Sequence, residues 1–376
     1  MTEAGSQRRH LVARNPNFVA TYRSERTGLG IIHAFAKLRD ATTMTALHRT
    51  FLPQLLSLTA MATLPASAQM LKDSALDSLY SAQKFDELLR VSTQRLGAQP
   101  DDAQAVLGLA LAVLSRDDEA GRQAAIRRAE VCIGSQPKAA ACHYALGAVL
   151  GVQALSEGML RAARSAGTVR EALSTAHALE PAWYLARGAL VEFYVQAPGM
   201  MGGSFSKAAE LARTAPTPEQ ARLLEARVAM LDRKFDAAVL AFAALPAQLP
   251  PELVGDARSW AVQCVLMMVN AGQASQAQPL AERSLREHPG FAGPAYGLAR
   301  VRGEAGAHEE ALKLYERALT AKGAGDWPLD WRIGVEQQAL GRNEAAKVAL
   351  NRYVSAGKGQ KASLEDARKR LQQLGG

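Results

Sequence analysis

The three cysteines are the side chains whose spacing most directly suggests chemistry. Cys132 lies five residues before Pro137, and Cys142 lies five residues after it. If Pro137 marks a turn between antiparallel helices, the two thiols face each other. Two alternatives follow: a disulfide bond in an oxidising compartment, or two buried thiols. Cys264 falls in the apolar stripe of its segment and is predicted to be a core residue.

The remaining reactive side chains form no pattern that predicts catalysis. The seven histidines are scattered, none is spaced to share a metal with another on one helix face, and no cysteine pair is near them. No Ser, Cys or Lys stands in a recognisable nucleophile motif. The chain is therefore predicted not to be an enzyme and to need no metal or cofactor.

One glycine-rich stretch, residues 197–204, invites a phosphate-binding interpretation. A phosphate loop would need a preceding strand and a Lys-Ser or Lys-Thr ending, and neither is present. A turn between two helices is favoured instead. Pro198, Gly202 and Gly203 remain candidate site residues for a different role, as a loop that closes a small-molecule pocket.

The formal net charge of +8 is concentrated near the N-terminus. Residues 1–68 hold eight of the 44 basic residues and three of the 36 acidic ones. The remainder therefore has a net charge of +3, with both signs mixed. Because no large field of one sign exists, nucleic acid is not a predicted partner.

Residues 44–68 have the pattern of a secretory signal peptide. Arg49 provides positive charge, residues 51–64 are short and mostly apolar, and the small residues Ala66-Ser67-Ala68 precede Gln69. The stretch is too short to span a membrane, so we expect cleavage before Gln69 and a periplasmic or secreted protein without a transmembrane segment. Residues 1–43 are then an over-called or disordered extension. The alternative is an apolar first helix in a cytoplasmic protein.

A pattern of small and larger apolar residues, usually followed by proline, recurs eight times after residue 69. Small side chains let two helices approach closely, and proline stops the second helix. The first positions of the copies are Leu88, Ala125, Val169, Ala208, Ala238, Ala277, Ala311 and Ala346. The third and fourth copies carry insertions, which we place in a first helix lengthened around residues 153–165 and in the 197–204 loop.

The last two intervals, 34 and 35 residues, match the length of a tetratricopeptide repeat. Gly272, Gly306 and Gly341 each stand five residues before the small residue, where a left-handed cap ends one helix and lets the next begin. Over roughly residues 70–356 the chain resembles the tetratricopeptide family. We therefore expect an all-α, right-handed α-solenoid of about eight helix pairs (69–356). A C-terminal capping helix (357–376) should follow, beginning at Ser363.

The resemblance implies a concave groove, lined by the first helix of each pair, that binds a protein or peptide. Tyr144, Tyr296 and Trp331 occupy one groove position, and Arg227 and Arg300 occupy another. Aromatic residues and arginine dominate many interfaces, so these five are the candidate partner-binding residues. The alternative is that they fill the space between successive first helices.

Two functions remain open from the sequence. The first is a non-catalytic scaffold or adaptor in the bacterial periplasm. The second is a periplasmic small-molecule binding protein associated with a transporter, with its pocket closed by the 197–204 loop. The sequence does not give the oligomeric state or the identity of the partner.

Overall fold

The computed structural model describes residues 70–115 and 119–375. The predicted signal segment and the extension before it lie outside the described residues. In the described part the backbone forms 17 α-helices. They are α1 Ser74–Ser81, α2 Phe85–Ala98, α3 Ala103–Leu114, α4 Glu119–Ser135, α5 Ala140–Glu157, α6 Met159–Leu179, α7 Tyr184–Gln196, α8 Phe205–Arg213, α9 Pro218–Leu231, α10 Phe235–Ala243, α11 Pro251–Asn270, α12 Ala274–Glu287, α13 Ala292–Glu304, α14 His308–Leu319, α15 Leu329–Ala339, α16 Asn343–Ala356 and α17 Lys361–Gln373.

The helices pack in chain order as eight pairs followed by one further helix. Each odd-numbered helix from α1 to α15 packs against the even-numbered helix that follows it, and the first helices of most successive pairs also contact each other. Such a stack buries each pair only against its neighbours, which is the architecture of an α-solenoid. The predicted all-α fold and the number of pairs are confirmed. No helix in the described residues is long and apolar enough to cross a membrane.

The first positions of the eight copies, six alanines together with Leu88 and Val169, lie where the two helices of each pair meet. All eight are buried, with at most 4% of their surface exposed. In the third pair, for example, Leu173 packs against Gly147 so closely that a Cβ on that glycine would lie 2.7 Å from the leucine Cγ. Gly334 and Leu350 repeat this contact in the eighth pair, at 2.6 Å. Close helix approach through small residues is therefore the structural basis of the sequence repeat.

The left-handed turn between the two helices of a pair occurs at positions without glycine as well as at those with it. Gly272, Gly306 and Gly341 adopt φ angles of 76°, 77° and 73°, as the sequence predicted. Gln83 and Arg233, which stand at the same place in the first and fifth pairs, adopt 59° and 61°. A side chain in this left-handed region costs free energy that glycine avoids. Five of the eight pairs thus share one turn geometry, although only three carry the expected residue.

The third pair differs from the prediction. The added length was expected in the first helix around residues 153–165, but the structure divides it between α5 and α6, which have 18 and 21 residues. The break falls at Gly158, whose φ of 94° and ψ of 173° suit only glycine and end the first helix. In the fourth pair the insertion lies between α7 and α8, as predicted.

Helix α17 covers the end of the stack. Its Ala367 is fully buried in a cluster with Leu350 and Tyr353 of α16. The predicted helix is present, but it does not begin at Ser363. The helix starts at Lys361, and the buried Ser363 hydroxyl donates to the Gln360 carbonyl, 2.9 Å away, and lies 2.6 Å from the Tyr353 hydroxyl. Ser363 therefore attaches the cap to the stack.

Candidate functional site

Cys132 and Cys142 are joined by a disulfide bond in the structure. Cys132 lies near the end of α4 and Cys142 near the start of α5, with their Cα atoms 5.9 Å apart across the turn at Pro137. Cys264 is free and buried in α11, and burial raises the pKa of its thiol to about 12. A thiol with that pKa stays protonated at neutral pH, so Cys264 is a poor nucleophile.

The five predicted groove residues do not line an open wall. Tyr144 and Tyr296 are fully buried, Arg227 is 1% exposed and Arg300 is 7% exposed. Only Trp331 retains partial exposure. The expectation of an exposed groove at these positions is therefore wrong for four of the five. The structure favours the alternative, because successive first helices lie close enough for these side chains to fill the space between them.

Tyr144 is covered by Trp183, which in turn contacts the N-terminal segment, defined as residues 70–85. The Tyr144 and Trp183 ring centroids are 5.1 Å apart, and the Trp183 indole donates to the Met70 carbonyl at 3.3 Å. Lys72 of the same segment forms an ion pair with Glu180 at 2.8 Å. The residues just before α1 thus contact the turn between the third and fourth pairs, more than a hundred residues away along the chain.

The aromatic residues of the last pairs also join repeats. Tyr296 stacks on Trp327 with a centroid distance of 4.6 Å. Trp331 lies near the Tyr353 ring, at 6.3 Å, and its indole donates to Asp366 of α17 at 2.7 Å. Trp331 therefore helps to hold the cap in place. Its partial exposure leaves one part of the ring available at the surface.

A buried ion pair joins the fourth and fifth pairs. Arg227 donates two hydrogen bonds to Glu192, from Nε at 2.9 Å and from Nη2 at 2.6 Å. It also donates to Gln263 of the sixth pair and lies over the Trp260 ring, 5.1 Å from its centroid. Both charges are almost completely removed from water. Two-point pairing of this kind fixes the register of three first helices.

A second set of polar contacts adjoins this ion pair. The Tyr184 hydroxyl donates to Asp256 at 2.9 Å, and burial together with the Asp256 charge raises the pKa of Tyr184 well above its ordinary value. The Tyr144 hydroxyl is buried without a hydrogen-bond partner among the described residues. We call these residues and the ion pair the central polar cluster. Its members are Tyr144, Tyr184, Glu192, Arg227, Asp256 and Gln263.

A cavity of about 330 Å³ lies between the N-terminal segment and α11. Met70, Tyr80 and Phe85 line one side, and Glu252, Asp256 and Arg258 line the other. Asp256 therefore belongs both to the cavity and to the central polar cluster. The sequence does not reveal this site, because its two sides are about 170 residues apart and no local spacing links them.

The 197–204 loop does not line this cavity. It forms a tight turn in which the amides of Met201 and Gly203 both donate to the Pro198 carbonyl, at 2.8 and 3.2 Å. Gly202 has a φ of 94°, and a Cβ on Gly203 would lie 1.7 Å from the Ala197 carbonyl oxygen. The glycines are therefore required by the turn itself. The described residues also contain no group of three or more His, Cys, Asp or Glu side chains placed to hold a metal ion.

Comparison with known proteins returns only distant similarity. No protein-family model matches the chain, and no curated protein matches its sequence. Many solved structures are similar to it in fold, and two of them serve as examples. One, described as the APC/C hetero-tetramer Cut9-Hcn1, has a TM-score of 0.45 and 12% identity, covering 80% of this chain and 54% of the other. The other, yeast Tom70, has a TM-score of 0.43 and 10% identity, covering 73% and 65%.

The chain thus spans between about half and two thirds of the length of these two proteins. The fold assignment rests on the helix order and on the packing described above. Together these define a tetratricopeptide-like α-solenoid, with one disulfide bond and a cavity between its first and sixth pairs.

Proposed function

We propose that the protein is a non-catalytic scaffold in the bacterial periplasm that binds a protein or peptide partner. The observation that carries the proposal is a surface on the last two pairs. Trp327, Trp331 and Arg332 are all partly exposed there, and the Arg332 guanidinium lies 4.1 Å from the centroid of the Trp331 ring. We call these three residues the C-terminal patch.

The C-terminal patch has the composition of an interface centre. Tryptophan and arginine contribute more binding energy per residue than most side chains, and a guanidinium can pair with a carboxylate at two points. A peptide that carries an acidic residue beside an apolar one would complement the charge of Arg332 and the apolar surface of the tryptophans. The tryptophans are already held by Tyr296 and Asp366, so binding costs little side-chain entropy.

The test compares two charge reversals on the eighth pair. Immobilised full-length protein is used to capture partners from a periplasmic extract, and one captured partner is then purified and its Kd measured. Arg332→Glu should weaken this binding by about 1–3 kcal/mol. Arg352→Glu is the matched control, because this substitution changes the net charge by the same amount. Arg352 is exposed on α16 and pairs with Asp330 at 2.9 Å. Equal Kd values for both variants would place the binding surface elsewhere.

The proposed compartment has its own test. Expressed in a bacterium from the full reading frame, the protein should be recovered from the periplasm with Gln69 as its first residue, because residues 44–68 have the pattern of a signal peptide. A disulfide bond between Cys132 and Cys142 is compatible with that compartment. N-terminal sequencing that finds residues 44–68 still attached would contradict export.

The second candidate function, binding of a small molecule, is favoured by a different observation. The cavity between the N-terminal segment and α11 has a volume within the usual range of ligand sites. Its position differs from the one expected, since the 197–204 loop takes no part in it. The charges around the cavity define which ligands would fit.

A further inference from the structure

The cavity has an apolar side and a charged side. On the apolar side, the rings of Tyr80 and Phe85 meet edge to face with centroids 6.0 Å apart, and the Met70 side chain lies beside them. Helix α11 provides Glu252 and Asp256, one turn apart, on the other side. A ligand that fills the cavity would therefore need an apolar body and one polar end.

Glu252 is the least satisfied charged group of the cavity. Its Oε2 atom is buried, and no described residue gives that atom a hydrogen bond. The described residues also give this carboxylate no ion-pair partner, and burial raises its pKa. A partly buried carboxylate without a counter-ion is costly unless a cation approaches it. A cationic ligand would remove that cost.

The other charges of the lining leave one negative charge in excess. Asp256 accepts a hydrogen bond from Tyr184. Arg258 lies over the Phe291 ring, 3.8 Å from its centroid, so its guanidinium already has an aromatic partner. Two carboxylates and one guanidinium face the cavity, and a single positive charge would balance them. An anionic ligand would instead raise this excess to two negative charges.

We propose that this cavity binds a small organic ammonium ion with an apolar body. The ammonium group pairs with Glu252, and the apolar body packs against Met70, Tyr80 and Phe85, where an aromatic face also attracts a cation. This site is independent of the scaffold role, because it shares no residue with the C-terminal patch.

Three probes that share a phenylethyl body and differ in the charge of the polar end test the proposal on the full-length protein. They are 2-phenylethylamine, 2-phenylethanol and 3-phenylpropionate, which carry positive, zero and negative charge. Calorimetric titration should give a Kd for the amine about tenfold or more below that of the alcohol, with the anion weakest. Equal affinity for the three probes, tighter binding of the anion, or no binding of the amine would overturn the proposal.

Two matched variants then locate the charge. Glu252→Gln should weaken the amine about tenfold and leave the alcohol unchanged. Glu219→Gln is the control, because Glu219 follows Pro218 at the start of α9 as Glu252 follows Pro251 at the start of α11, yet it does not line the cavity. An equal loss in both variants would show that the effect comes from the helix start, and the site would be wrong.

The same variants distinguish failure of the cavity proposal from failure of the scaffold proposal. Loss of amine binding in Glu252→Gln with an intact Kd for the protein partner would support the cavity site alone. Loss of partner binding in Arg332→Glu with unchanged amine affinity would support the C-terminal patch alone. Circular dichroism of each variant confirms that the helices are retained, and the comparison of probes on the unaltered protein needs no variant.

Discussion

Arg227 in the fifth pair and Arg300 in the seventh occupy the same position of the repeat, yet their surroundings differ. Arg227 is held by two hydrogen bonds to Glu192 and is 1% exposed. Arg300 donates to the neutral Asn270 at 3.2 Å and lies 3.6 Å from the exposed Glu304. The repeat position alone therefore does not determine the role of its side chain. The neighbouring pair decides it.

The apolar core also differs between the earlier pairs and the last two pairs. One continuous cluster extends from Leu71 in the N-terminal segment to Val301 in α13. Two smaller clusters serve the last pairs, and the outermost contains only Leu350, Tyr353 and Ala367 as buried members. Pairs one to six, together with part of α13, are therefore tied together through one continuous interior. The last two pairs depend more on their immediate neighbours, so we expect the two regions to respond differently to substitution.

Arg227→Ala should produce the largest loss of stability. It leaves the Glu192 carboxylate buried without its partner, and such changes cost about 3–5 kcal/mol. Urea denaturation of the variant and of the unaltered protein measures the difference. The double variant Glu192→Gln, Arg227→Met should cost less than Arg227→Ala alone, because no charge is then left unpaired. A loss below about 1 kcal/mol for Arg227→Ala would contradict the structural role of the pair.

Breaking the disulfide bond should produce the next largest effect. Cys132 and Cys142 close a loop with a sequence separation of 10, and closing a loop of that size stabilises a protein by about 2–3 kcal/mol. Reductant should therefore lower the melting temperature, and the variant Cys132→Ser, Cys142→Ser should show the lower value with or without reductant. Peptide mapping without reduction should find one linked pair, with Cys264 alkylated only after denaturation. Alkylation of all three thiols in unreduced protein would exclude the bond.

Removing residues 357–376 should destabilise the last region by about 2 kcal/mol, because it exposes the Leu350 and Tyr353 side chains that α17 covers. Hydrogen exchange is the informative measurement. Amides of α15 and α16 should exchange faster in the truncated protein, whereas those of α3 to α9 should not change. Faster exchange throughout the chain would show that the two regions unfold together and that the comparison is wrong.

The sequence predicted the part of the fold that depends on local spacing. The first positions of the eight copies fix which face of each second helix is buried, and the glycines Gly272, Gly306 and Gly341 fix three turns. The curvature of the stack was not predictable in the same way. It follows from the sum of contacts between successive pairs, and it brings Met70 against Trp183 and Tyr80 opposite Asp256.

This is also why four of the five predicted groove residues are buried instead of exposed. The spacing places Tyr144 and Tyr296 on the correct face of their helices, but whether that face is open depends on what lies across from it. Tyr144 is covered by Trp183, which contacts the N-terminal segment, and Tyr296 is covered by Trp327. The cavity beside α11 was not predicted for the same reason, because it forms only where the N-terminal segment lies opposite Glu252, and nothing within the repeat that contains Glu252 indicates this contact.

Arg300→Ala should produce the smallest of these losses, about 1 kcal/mol. The exposed groove expected from the sequence would have made this substitution neutral, but Arg300 is 7% exposed and its alkyl chain fills space between two first helices. Its hydrogen-bond partner Asn270 is neutral, so truncation leaves no buried charge behind, unlike Arg227→Ala. Asn270→Ala is the matched variant, and the double variant should cost nearly as much as Arg300→Ala alone if the two residues act through one bond. Urea denaturation of the three proteins measures this coupling. A cost for Arg300→Ala equal to that of Arg227→Ala would show that the two regions do not differ, since burial of the arginine, and not its carboxylate partner, would then determine the loss.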